Sequence, residues 1–192
     1  MRRMVLLPLC AVLSACAAPA LTLYTLGTPL SGSFTIPPER ASVVIALARV
    51  SIQDDLDTED IVVRDGSVLR RSHQGRWAGR LSMGITDRLT ERLSARYPGA
   101  LVTDRPLNDT PADRVLINIG RLDVTAAGSA SLDADWQVVP RNPNTPPERN
   151  RAAFSVTGPV ATDGDVVVLI GALLDKLAAA IEIPGLAAAK GR

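Results

Sequence analysis

Trp77-Ala78-Gly79-Arg80-Leu81-Ser82-Met83-Gly84-Ile85-Thr86-Asp87-Arg88-Leu89-Thr90-Glu91-Arg92-Leu93-Ser94-Ala95-Arg96-Tyr97, closed by Pro98-Gly99, is the stretch from which the fold is read. Trp77, Leu81, Ile85, Leu89 and Leu93 recur every four residues and trace one apolar stripe, while Asp87, Arg88, Glu91, Arg92 and Arg96 fall off it, as in an amphipathic helix. Pro-Gly ends that helix, because neither residue continues one readily. A helix of this length is marginal alone, so its stripe needs a sheet to bury it. The expected class is therefore α/β (α+β): a two-layer domain with a mixed or mainly antiparallel sheet and two helices packed on it.

The flanking segments supply both the sheet and the second helix. On the C-terminal side, Ala100–Thr103 is a short strand; Arg114–Thr125 and Ser131–Val139 are longer ones that pair across 126–130, and Ala152–Thr157 returns as another. Asp163 or Asp165 can cap a last helix whose stripe is Val167, Ile170, Leu174, Leu177 and Ile181, and Pro184-Gly185 stops it. On the N-terminal side, Ser42–Ile52 is β-branched and apolar enough for a central strand, and Ile61–Arg64, Asp65-Gly66 and Ser67–Arg71 read as a hairpin. Leu21–Leu26 alternates apolar with polar as a half-buried strand does. Two Pro-rich stretches, Thr28–Pro38 and Asn142–Pro147, read as exposed loops open to a partner.

The first residues form a targeting segment. Arg2 and Arg3 precede an apolar run from Met4 to Val12, and Leu13-Ser14-Ala15-Cys16 closes it in an order that resembles a bacterial lipobox. That resemblance implies diacylglyceryl transfer to Cys16, cleavage after Ala15 and a mature chain starting at Cys16. An ordinary secretory peptide or an uncleaved anchor are the other readings, but the apolar stretch before Pro19 falls short of the ~20 residues that a span needs. The division expected is a signal peptide (1–15), a tether (16–20), one domain (21–185) and a frayed tail (186–192). Four tether residues after Cys16 reach no more than ~14 Å, so the domain lies close to its bilayer. Ala17 is the sorting position, and having Ala instead of Asp there resembles outer-membrane sorting.

Composition fits a tethered globular domain. Removing 15 residues from 192 leaves 177, with 46% hydrophobic and 21% charged residues in the full chain, enough for one core. Aromatics are only 3%, so that core is built of Val, Leu, Ile and Ala. Without Arg2 and Arg3 the chain holds 19 basic and 20 acidic residues, and no basic stripe points to nucleic acid. Cys10 leaves with the signal and Cys16 carries the lipid, so no disulfide remains.

Several residues in order then resemble one family. Tyr24-Thr25-Leu26, Leu56-Asp57 ahead of Ile61-Val62-Val63-Arg64, then Arg76-Trp77-Ala78 with Leu81, and Leu132-Asp133-Ala134-Asp135-Trp136 are similar to the ABC-type transport auxiliary lipoproteins, the paraquat-inducible protein C-like family. Gln53-Asp54-Asp55 departs from that pattern, which usually has a proline there. The resemblance implies an outer-membrane, periplasm-facing component of an intermembrane lipid transporter, with palmitate or a similar acyl anchor on Cys16. Its implied partner is a periplasm-spanning protein with mammalian-cell-entry (MCE) domains, and a homo-oligomer is expected.

Chemistry-bearing sets are sparse. His73 stands alone in a polar turn; no zinc spacing, P-loop or Ser/His/Asp set is legible, so neither an enzyme nor a cofactor is expected. The acidic run Asp54, Asp55, Asp57, Glu59 and Asp60 lacks the glycine and distal glutamate of an EF-hand and reads as a solvated loop, with Asp57 and Arg64 free to pair across it. Trp77 and Trp136 are expected to fill the core, although Arg76-Trp77 has hot-spot composition. Two other functions stay open: a lipoprotein scaffold or activator of a cell-wall synthase, and a lipid-handling enzyme with an unrecognised site.

Overall fold

The computed structural model describes residues 20–27, 43–106, 108 and 110–186. The signal, Cys16, Ala17, the whole of the first Pro-rich loop and residues 187–192 lie outside these. In chain order the elements are β1 (Thr22–Tyr24), β2 (Val43–Leu47), β3 (Ser51–Ile52), β4 (Asp60–Asp65), β5 (Val68–Trp77), α1 (Leu81–Arg96), β6 (Ala100–Thr103), β7 (Asp113–Val124), β8 (Ser129–Pro140), β9 (Glu148–Thr157) and α2 (Asp163–Ala180). The mixed α+β architecture is as expected, but the strands form two sheets instead of one. A six-stranded sheet runs β6-β2-β7-β8-β9 with β3 beside β7, and a three-stranded sheet runs β1-β5-β4.

The large sheet is parallel at one side and antiparallel at the other. β2 lies parallel to both β6 and β7, whereas β7, β8 and β9 form an antiparallel meander. Along β7, Val115, Ile117 and Ile119 are buried, then Leu122 and Val124. The register shift between Ile119 and Arg121 absorbs Gly120, which lets the buried set change parity while staying on one face. β8 needs no such shift: Ala130, Leu132, Ala134, Trp136 and Val138 all turn inward.

The expected single strand over 42–52 is split. β2 pairs with 113–115 of β7 and β3 with 118–119, so four steps on one chain match three on the other. The intervening residues are stitched to α1 instead. Val50 N–H donates to Thr86 Oγ1 at 3.0 Å, and the Arg49 guanidinium reaches Ser82 Oγ at 2.7 Å.

A second correction concerns Trp77, which ends β5 and does not begin the helix. Polar residues 70–76 hide the strand from any reading of apolar alternation. Between Asp60↔Arg76 and Val62↔Arg71 the β5 chain carries a bulge, gathered by Ser72, whose Oγ accepts from Gly75 N–H at 2.9 Å and donates to Asp163 at 2.7 Å. Gly75 faces Asp163 so closely that no Cβ fits there. His73 consequently lies exposed on a strand, not in a turn.

Both helices join one core with Ile45, Ile119, Leu132 and Trp77. Between the helices, Arg88 and Arg92 both grip Asp175 of α2, at 2.8–3.1 Å. The α2 cap differs from expectation: Thr162 is the N-cap, its Oγ1 accepting from Asp165 N–H while Asp165 accepts from Thr162 N–H. Val166, Leu169 and Leu173 join Ile170, Leu174 and Leu177 in the buried face, leaving Val167 only half-buried. Ile181 is buried just past the helix end.

Candidate functional site

The family-pattern residues are spread over the fold: Asp57 sits at the start of α1, Arg64 against the end of β7, Arg76 and Trp77 on β5, and Trp136 on β8. Asp57 does not pair with Arg64. Its Oδ1 accepts from Ser82 N–H at 3.0 Å, and Leu81 N–H donates to Thr58 O at 3.2 Å, so the acidic loop caps α1 from outside the helix. The side chain of Arg80 at the N-cap offers no acceptor. Arg49 and Arg80 flank the carboxylate at 3.7 and 3.5 Å. Burial works against the charged form of Asp57, but the bonds from Ser82 and the two arginines outweigh it and hold its pKa below the ordinary 3.8.

Arg64 joins the two sheets. Its guanidinium Nε meets both carboxylate oxygens of Asp123 on β7 at 2.8 Å, and its carbonyl accepts from Ala126 N–H at 2.8 Å beside a bridge to Thr125. Arg76 meets Asp60 at 3.1 Å and donates to the Ser72 carbonyl, closing the bulge of β5. Arg71 reaches the same Asp60 at 3.1 Å. Two members of the acidic run, Asp57 and Asp60, thus sit in separate arginine networks, and among the described residues no three His, Cys, Asp or Glu side chains gather as a metal set.

Apart from Val62, the apolar members of the pattern belong to the core or pack against it. Ile61, Trp77, Leu81 and Trp136 are buried, Val62 is half-buried, and Leu26 packs on Gly84 of α1. Tyr24 packs half-buried against the core, and its carbonyl accepts from Ala78 N–H. Arg88 also donates to Leu26 O at 2.9 Å, so the segment that follows the tether is tied to both the small sheet and the helix pair.

One contact set went unread in the sequence. Tyr97 OH donates to Ile181 O at 3.0 Å and accepts from Ile183 N–H at 3.1 Å, fastening the end of α1 to the chain beyond α2. Nothing local marks this, since its partners lie 84 and 86 residues away.

The face of the large sheet turned from the helices is polar and open. A shallow groove of about 660 Å3 crosses it, lined by Arg49, Leu116, Asn118, Gln137, Arg149 and Arg151 among others. Asp135 lies within it, bonded to Asn118 at 3.1 Å and 4.0 Å from Arg151. No described helix is long and apolar enough to cross a membrane. These surfaces combine ion-pair networks with a mixed-charge open face.

The fold is shared with solved structures. An uncharacterized protein aligns over 83% of this chain and 95% of its own, at 14% identity with a TM-score of 0.67. A Xanthomonas campestris protein of the DUF330 family aligns over 82% of this chain and 90% of its own, also at 14% identity, with a TM-score of 0.58. No curated protein matches the sequence. Fold and surfaces define a mixed α+β module of two sheets and two helices. Residues 24–182 match the model of the ABC-type transport auxiliary lipoprotein component, and the chain belongs to that family.

Proposed function

We propose that this chain is an outer-membrane lipoprotein, acylated at Cys16, which docks the periplasm-spanning MCE-domain protein of an ABC-type lipid transporter and works as a homo-oligomer without catalysing a reaction. The observation that carries this reading is the family match, which takes in both sheets and both helices. The lipobox order Leu13-Ser14-Ala15-Cys16 supports the anchor, and Ala17 supports sorting to the outer membrane. The short tether also supports it: β1, which pairs with β5, begins only six residues after Cys16, so the folded domain cannot search the periplasm and the partner has to come to the membrane.

The decisive test is photocrosslinking in living cells from Asn144 and Thr145, in the exposed loop after β8. Capture of an MCE protein is expected; capture of a cell-wall synthase instead would end the transport reading. Independently, Cys16→Ala should abolish lipidation and leave the precursor uncut or the product free in the periplasm. Mass spectrometry of the wild-type N-terminus decides this, since an unmodified start at Ala17 or later would refute the anchor.

A further inference from the structure

The alternation of Leu21–Leu26 predicts a buried side for Leu21 and Leu23, yet these two are 58% and 61% exposed. The parity is plain from the neighbours. Tyr24 turns toward the core and faces Gly164 of α2, and in β5 the flanking Gly75 and Trp77 are buried, so Leu23 and its register partner Arg76 point the other way. Asp60, opposite Arg76 on β4, shares that outer side and binds Arg71, which is itself 72% exposed. Near the tip of the same sheet, Leu69, opposite Arg64 and on the same side as Arg71, adds another exposed apolar group. Apolar side chains ringed by arginines, on a sheet entered directly from the tether, are the composition of a surface that lies in the headgroup region of a bilayer.

We propose that the outer face of the small sheet rests on the membrane that holds Cys16, with Leu21 and Leu23 sunk among the lipid headgroups and Arg71 facing their phosphates. The tether selects this occupant. Four residues, Ala17 to Ala20, separate Cys16 from Leu21 and confine it to within roughly 18 Å of the acylated residue, so a bilayer is always within reach of this face. The proposal rests on the acylation of Cys16, and it adds an orientation that acylation alone does not require.

The test uses the acylated chain made in cells, reconstituted into vesicles of phosphatidylethanolamine and phosphatidylglycerol. Leu23→Cys, labelled with an environment-sensitive fluorophore, reads the face; Val168→Cys, 69% exposed on α2, is the control. On vesicles, aqueous iodide quenching at position 23 should fall about threefold, and headgroup-depth nitroxide lipids should quench it, with neither change at 168. A chain that floats with vesicles while its position-23 label stays open to iodide would overturn the proposal and leave the anchor intact. A label shielded from iodide but untouched by nitroxide lipids would also overturn it, by placing a second copy on this face. Failure to float at all would remove the anchor, and the proposal with it.

Discussion

Tyr97 and Asp57 show how much of this molecule's order depends on single side chains acting at a distance. Tyr97 is 2% exposed, and its hydroxyl satisfies one buried carbonyl and one buried N–H. Tyr97→Phe keeps the ring but leaves both groups without that partner, so unfolding in urea should show a loss of about 2 kcal/mol. Asp57→Ala removes a cap that α1 cannot supply for itself. The expected cost is about 1 kcal/mol, read in the same assay, because Arg49 and Arg80 are more than half exposed and remain hydrated. Asp57 was legible as a residue of interest from its place ahead of Ile61–Arg64. Its true partner was not, because a cap donated across 25 residues leaves no local spacing to read.

At the level of elements, legibility followed periodicity. The β7–β8 hairpin, β6 and the core face of α1 were read nearly as they stand, since alternation and fourfold recurrence are written in neighbouring residues. β5 was lost beyond Arg71 because its bulge is held by Ser72 and Asp163, and the break between β2 and β3 because it is paid for by bonds to α1. Turn chemistry offers a sharper comparison. Gly66 and Gly128 both have positive φ, 59° and 82°, but a Cβ at Gly66 meets nothing, whereas one at Gly128 strikes the Gly158 carbonyl. Gly66→Ala should cost about 1–2 kcal/mol from backbone strain alone. Gly128→Ala should cost clearly more, because the bond from Gly158 N–H to Gly128 O must shift as well. Thermal melts of the two variants side by side check the order.

For the molecule as a whole, acid titration has two opposing parts. Asp57 has a lowered folded pKa, so its contribution is complete above 3.8 and disappears as pH falls through that lowered value. Asp87 and Asp113 behave oppositely: partial desolvation raises both, although Asp87 is exposed and Asp113 only half-buried, and Asp104 adds to the effect at Asp87, so the folded chain holds their protons to higher pH than the unfolded chain does. Stability therefore declines as pH rises from 3.8 through those raised values. Asp87→Asn should raise Tm at neutral pH, and the gain should shrink to nothing as pH falls toward 3.8; a gain that persists in acid would contradict this account. The second sheet was not legible at this scale. Joining it to the first depends on Arg64 and Asp123, two charged residues with no pattern between them.

The parallel placement of β2 bears on when the fold can form. Its partners are 100–103 and 113–115, and β1 likewise waits for 75–77. A ribosome delivers the N-terminal strands first, but each must remain unpaired until a distant segment has been made, and such non-local closure is slow compared with helix or hairpin formation. The β7–β8 hairpin, by contrast, can close on its own neighbour. β7 is then the template for β2, and β1, nearest the tether, is locked in only once β5 is in place.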